Sequence, residues 1–565
     1  MDQPGAGGGS SAWNGVRMPV SRDADGWSDV TPASGDRIIY VSNAGSDSND
    51  GLSTGAPKAT VAAGFALVRD GTSDQVLLRR GDTFTANITI NKSGRNAANP
   101  AMIGAYGTTT NARPIINGGI RLQSGSDWVF QSLDLRDNAG AVPGGVYLQS
   151  NTLGLRGARI LIEDCIARDY YQAFCLTSGT GIPGGAYWND VTIRRCTALD
   201  SDGGHGQGLF ADGYGGQLTV EDFTPINCGF PDAQSHCVYI DKAVASASTP
   251  ILTRILCWPN YPTTPNVSTT SEGIKSRQGA IMSDCHMAWC SIGFAIGTTD
   301  GDGSNDFVAL GTVQGKIDNC IVTYACGRVA ASDYGYGAWL LGIEGTGNYL
   351  RNCGFVSTLS TSNDRAFLSL IRWNAAATGG QIDNLSMTGN VSYNAGKFVV
   401  GDLPSNYSNL TFSNNKIRVS TSFFPLCEHY QDTSTTAIFT ERQGNSFWSG
   451  ERQTSRWISA PSPGDTLTAY GAVNAGSAGA GLPDPARTYT GYLATKSVTV
   501  ANESAAHAHI RTALIAQRRY AWDANYTATA LNDWFRAGLG IDTLGGVVTP
   551  TVTAPSYYLE TIGAR

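Results

Sequence analysis

The chain has 565 residues, 41% of them hydrophobic and only 15% charged, so it can bury a large core and lacks the composition of a disordered chain. A formal net charge of -7 and a pI of about 5.4 exclude nucleic-acid binding through a general basic surface. No apolar run reaches ~18 residues, which excludes a membrane-spanning helix.

Residues 1–36 read as an irregular leader. It carries no basic-plus-apolar export signal, which points to a removed signal, another export route, or a phage structural protein. Residues 37–98 form an N-terminal unit. Tyr40 to Gly51 is a strand followed by a turn-rich loop, and Pro57 to Arg69 has helical spacing with Val61, Phe65 and Val68 on one face. Gln75 to Phe84 is a strand and a turn. A short helix here covers the first coil of a solenoid, as terminal caps must. Asp47, Asn49 and Asp50 carry oxygen-rich side chains that suit calcium, but the spacing favours an Asx-turn that starts the fold.

Residues 99–450 repeat loosely: a short strand ending in Asp, Asn or Arg before Cys, a turn, then a second strand. Cys165, Cys196, Cys285, Cys320 and Cys353 share one place in the repeat. There is neither a CxxC pair nor zinc-type spacing, so the thiols read as an interior ladder of small apolar residues. The second strands overlay as Ala173–Ser178, Gln207–Asp212, His236–Asp241, Glu272–Arg277, Gly293–Thr298 and Ala338–Ile343. Strand alternation then sends Cys175, Leu209, Val238, Ile274, Ala295 and Leu340 inward. Thr177, Ala211, Ile240, Ser276, Gly297 and Gly342 follow them. Tyr239, Lys275, Asp212, Asp241 and Arg277 face outward from successive rungs ~4.8 Å apart. Residues 451–565 lose the repeat and form a C-terminal extension, helical over Ser504–Tyr520 and Thr527–Ala537, that packs back on the solenoid and caps its last coil. The fold class is all-β: a single-stranded, right-handed parallel β-helix with an N-terminal cap helix and a C-terminal extension containing short helices.

The YVSNAGSDSNDG segment from Tyr40, the VLLRRGDTF strand and the imperfect coils resemble secreted bacterial β-helix proteins of the pectate-lyase-like superfamily, over roughly residues 37–450. The resemblance implies an extended glycan-binding groove on a stack of rungs, in an extracellular protein or, for a phage member, at the virion surface. It implies a polysaccharide lyase, a glycoside hydrolase, or a tailspike or adhesin that binds a glycan. A monomer fits the enzymes and a trimer fits a tailspike. The acid-pair motifs of polygalacturonases and the Asp-Pro-His-Asp motif of mannuronan epimerases are absent.

A lyase acting on a uronate-containing polysaccharide needs a base and positive charge on the carboxylate. Lys275 or Tyr239 is the candidate base, Arg277 the carboxylate clamp, and His236 a candidate acid or base. Asp212 and Asp241 are further catalytic candidates and potential Ca²⁺ ligands. His205, Asp202, Lys242 and Glu272 border the cluster as candidate substrate contacts. The hydrolase alternative uses Asp202, Asp212 and Asp241, although the Asp-Gly-Gly run from Asp202 also reads as a plain turn. Trp258, Trp289, Trp339 and Trp373 have the chemistry to stack on sugar rings, and core burial is the commoner fate of such residues.

Overall fold

The computed structural model describes residues 21–137, 144–149, 157–177, 188–201, 206–228, 236–241, 248–259, 272–290, 292–297, 313–324, 335–343, 345–356, 365–370, 382–395, 397–401, 407–419, 427–429, 441–449, 458–459, 472–476 and 487–545. The described residues form a right-handed parallel β-helix. Each coil contributes one strand to each of three stacked faces. Gly157–Glu163, Ile166–Arg168 and Gln172–Thr177 make one such coil, and Trp188–Arg194, Thr197–Leu199 and Gln207–Ala211 make the next. Each strand of the first pairs in parallel with its counterpart in the second. The back sheet runs from Ile38–Val41 to Glu441–Gln443, and the front sheet from Ile88–Ile90 to Ile458–Ser459. A side face of two consecutive sheets joins them. The right hand of the coil is the one that twisted strands impose on parallel crossovers. No helix among the described residues is long and apolar enough to cross a membrane.

The corner after each back strand explains the repeat. Asp164, Arg195, Asp222, Arg254, Asp284, Asn319 and Asn352 all sit in the left-handed region, with φ between 50° and 56°. Asn and Asp tolerate this conformation better than most residues. The residue that follows turns into the core, so Cys165, Cys196, Cys285, Cys320 and Cys353 are buried and free, stacked as an interior ladder. Further along, the same place passes to asparagines. Asn390 N–H donates to Asn415 Oδ1 at 2.9 Å, and Asn415 N–H to Asn445 Oδ1 at 2.9 Å. Each of these buried amides thereby satisfies the backbone of the coil before it.

The N-terminal helix α1 (Val61–Ala66) is shorter than its spacing suggested. Thr60 caps it, accepting from Ala63 N–H at 3.2 Å. Asp47 in turn accepts from the N–H groups of Ala59 and Thr60 at 2.9 Å. Asp50 accepts from Leu52 N–H at 3.0 Å and Asn49 donates to the Pro57 carbonyl at 2.9 Å, so this loop is built from turns and caps.

The front-sheet register corrects the sequence overlay in three strands. Cys175 pairs with Phe210 and Lys275 with Ala295, which puts Cys175 and Ala295 in the outward row. Their neighbours Phe174, Leu176, Phe294 and Ile296 belong to the core cluster instead. A slip of one residue flips a side chain to the other face. Leu340 keeps its inward direction but lies one inner row further along, opposite Ile296.

The C-terminal extension covers the side face, and its described helices do not cap the last coil. Helices α2 (Tyr489–Thr495), α3 (Glu503–Ala516) and α4 (Ala528–Leu539) join one apolar cluster with Leu256, Trp258, Ala288, Trp289, Ile321 and Tyr324 of the solenoid. Between α3 and α4 the chain reaches the N-terminal stretch, where Arg519 pairs with Asp23 at 2.8 Å. Within the contact, Arg536 is fully buried and bonds Asp284, which also accepts from Asn532 Nδ2 at 2.8 Å. Arg536→Leu strips Asp284 of its counter-charge in a dry contact. Thermal denaturation is expected to show a loss of about 3–5 kcal/mol.

Candidate functional site

One outward row crosses the front sheet through Arg121, Tyr147, Cys175, Phe210, Tyr239, Lys275, Ala295 and Trp339, each paired with the next. A parallel row two residues further along each strand holds Asp212, Asp241 and Arg277, which directly follow the paired positions Ala211, Ile240 and Ser276. The backbone fixes these three in sequence: Asp212 N–H donates to Leu176 O, Asp241 N–H to Ala211 O and Arg277 N–H to Ile240 O, at 2.8–3.0 Å.

Tyr239 is the hub. Lys275 Nζ lies 5.3 Å from its ring centroid and the Arg277 guanidinium carbon 5.7 Å from it. Both cations therefore sit within cation–π range of one ring. Phe210 packs on the ring from the preceding rung at 5.6 Å. His236 is buried and its ring lies 4.9 Å from that of Tyr239. Arg277 Nη1 donates to Asp241 Oδ1 at 3.2 Å, while Arg277 Nε has no hydrogen-bond partner. Both side chains keep about a fifth of their surface exposed, at 23% and 22%. Asp212 lies close enough to act on Tyr147 and Cys175. Burial raises both groups above their ordinary values, and the Asp212 carboxylate adds to the rise.

The structure thus brings together His236, Tyr239, Asp241, Lys275 and Arg277. Asp212 stands on the same face toward Tyr147 and Cys175. Glu272 lies opposite His236 in the pairing, and its side chain is outside the described residues. Asp202, His205 and Lys242 also lie outside them, as does Trp373.

The tryptophans divide. Trp258 and Trp289 are buried under the C-terminal helices, with ring centroids 5.1 Å apart, and take the core role. Trp339 is part-exposed on the outward row, two rungs from Lys275. Phe210, Tyr147 and Arg121 belong to this row and escaped the sequence reading. Phe210 was visible in the overlay, one strand before Tyr239.

Calcium takes about six to eight oxygen ligands. Among the described residues, no group of three or more His, Cys, Asp or Glu side chains converges as a metal site. Asp241 already gives one oxygen to Arg277. Asp212 and Asp241 alone do not fit a calcium shell.

No family model and no curated protein matches the chain. Several solved structures align with it at low identity. A GH136 lacto-N-biosidase from Eubacterium ramulus is 14% identical with a TM-score of 0.36, covering 73% of this chain and 67% of its own. A mannuronic acid specific polysaccharide family 6 lyase from human gut microbiota is 11% identical with a TM-score of 0.41, covering 72% and 86%. An alginate lyase from Paenibacillus sp. is 14% identical with a TM-score of 0.36, covering 64% and 97%.

Proposed function

We propose that the front face binds an extended acidic polysaccharide and cleaves it by β-elimination. The observation that carries this reading is the convergence of Lys275 and Arg277 on the Tyr239 ring, beside the Asp241 carboxylate. A chain of sugars laid along the rungs meets aromatic and cationic side chains in succession.

The chemistry divides among these residues. Arg277 takes the uronate carboxylate through the N–H groups that Asp241 does not use, and neutralises charge as it builds up on the carboxylate. Lys275, as the free amine, accepts the proton from C5. The electron pair of that C–H bond becomes the C4=C5 double bond, and the C4–O4 bond breaks. The Tyr239 hydroxyl gives its proton to the departing oxygen and regains one from solvent through the Lys275 ammonium. Asp241 positions Arg277. His236, packed on the Tyr239 ring, holds that ring in place.

Hydrolysis through Asp202, Asp212 and Asp241 is the second reading, favoured by the matching places of Asp212 and Asp241 on adjacent strands. It needs two carboxylates free to flank one bond. The hydrogen bond from Arg277 to Asp241 weighs against it. The lyase reading goes with a monomer acting on polymer outside the cell. A trimer that binds without cutting is the tailspike alternative.

The test is incubation with a panel of uronate polysaccharides, with and without Ca²⁺, following the ultraviolet absorbance of unsaturated uronates. Absorbance is expected to rise, and in Lys275→Ala the rate is expected to fall by about 10²–10⁴-fold. New reducing ends without absorbance would replace the lyase by a hydrolase. Binding with neither signal would leave a glycan-binding protein.

A further inference from the structure

A cavity lies away from the front face, where three distant stretches of chain meet. Its volume is about 610 Å³, within the range of ordinary small-molecule sites. Trp27 comes from the N-terminal stretch, Arg195 and Asp222 from the back-sheet corners, and Arg519 and Trp522 from the segment between α3 and α4.

Two features of the lining stand out chemically. The first is an aromatic corner: Trp27 and Trp522 meet edge to face at 5.6 Å. The second is Arg195, whose guanidinium carbon lies 4.1 Å from the Trp27 ring and 5.4 Å from the Trp522 ring. The Arg195 side chain is 6% exposed. It donates once, from Nη1 to the Asp25 carbonyl at 3.1 Å, and its Nε has no hydrogen-bond partner. Its carboxylate neighbour Asp222 is 3.9 Å away, beyond hydrogen-bond reach. Asp222 is committed to Arg254, at 2.7 and 3.0 Å. Burial pushes the Arg195 guanidinium down, Arg194 adds to this, and Asp222, Glu163 and Glu221 only partly oppose it. A buried cation in this state gains from an added carboxylate, which accepts the N–H groups that Asp222 does not reach. Arg519 adds a further guanidinium at the cavity, held by Asp23.

We propose that this cavity is a second ligand site for a small carboxylate-bearing sugar, with the pyranose ring against Trp522, which is part-exposed where Trp27 behind it is buried, and the carboxylate on Arg195. It rests on the front-face reading only for the choice of a sugar acid, and shares none of that site's residues. A ligand here touches the N-terminal stretch, the solenoid and the C-terminal extension at once, so its binding also fastens the two ends of the chain.

The experiment is calorimetric titration of the full chain with D-galacturonic acid, and with D-galactose as the neutral control. Galacturonate is expected to bind and galactose not. Trp522→Ala and Arg195→Lys are each expected to weaken galacturonate at least about tenfold, since lysine lacks the planar fork. Lys275→Ala is expected to bind it unchanged while losing cleavage. Equal binding of both sugars, no binding, or affinity that survives both cavity variants but is lost in Lys275→Ala would overturn the proposal. A lyase assay that fails while this pattern holds would sink the front-face reading and leave the cavity standing.

Discussion

Arg277→Gln is expected to lower kcat/KM on a uronate polysaccharide by about 10²–10³-fold while barely moving the thermal midpoint. The two halves of this expectation come from the same geometry. The Arg277–Asp241 bond is single, 3.2 Å long and partly exposed, and such pairs are worth about 0–1 kcal/mol to stability. The guanidinium also approaches the Tyr239 ring within cation–π range, beside Lys275. That arrangement fits a charge kept for a substrate better than a charge spent on the fold. If the pair were only a surface contact, Arg277→Gln would leave kcat/KM within about twofold. Asp241→Asn is the companion variant. It keeps the shape and removes the tether, so a positioning role predicts a smaller loss that falls mainly on kcat. Steady-state rates from the ultraviolet signal, together with melting curves of both variants, check the whole set.

Much of this face was legible before any coordinates. The Cys ladder showed because the corner residue is left-handed, and Asp, Asn or Arg before Cys recurs at five of the corners, with Phe223 and Ile255 taking the Cys place at two others. The grouping of Tyr239, Lys275 and Arg277 followed from alternation along a strand, and Tyr239 does pair with Lys275. What failed was the register of Cys175 and Ala295, and the reason lies where the front strands begin. Ala173 and Phe174 both point into the core, as do Cys237 and Val238, so the period of two breaks at the bend. At Gly293 an added Cβ would meet Val322 side-chain atoms at 2.6 and 2.8 Å, which shows this position also turned inward. Cys and Ala are small enough for either face, so composition gave no warning. The docking of α2, α3 and α4 was illegible for another reason. Their partners Trp258, Trp289 and Tyr324 lie on the solenoid, hundreds of residues from α4, and no local period links the two. Trp289 and Tyr324 take φ of 51° and 55°, a conformation rare for bulky side chains. It aims both rings at Tyr489, with centroids 4.8 and 5.6 Å away.

That docked surface also carries a large expected stability effect that is set by pH. His286 is enclosed between solenoid and helices, bonded to Asn532 Oδ1 at 2.7 Å and to the Tyr489 hydroxyl at 2.6 Å. His507 is bonded to the Pro259 carbonyl at 2.7 Å and stacked on Trp258 at 5.1 Å. Burial lowers both rings from 6.5 to about 4, with Arg536 adding to the effect on His286 and Arg511 on His507. Below pH 6.5 the unfolded chain takes up protons that the folded chain refuses. Stability is therefore complete above pH 6.5 and drains away as pH falls toward 4. By pH 5 each ring costs about 2 kcal/mol, and by pH 4 about 3 kcal/mol. Carboxylates also weaken the fold in acid, but in a lower window. Glu221, for example, is part-buried yet held at about 2 by Arg254 and its neighbours, so its contribution is lost only below about pH 4.5. Between pH 6.5 and 5 the two histidines should dominate. Urea melts at pH 7 and pH 5 are expected to differ by about 4 kcal/mol, and His286→Gln with His507→Gln should flatten that difference. Hydrogen exchange should locate the loss in α2, α3 and α4 before the coils. Protection that falls first in the front strands, or a melt unchanged between pH 7 and 5, would show that these rings do not hold the extension in place.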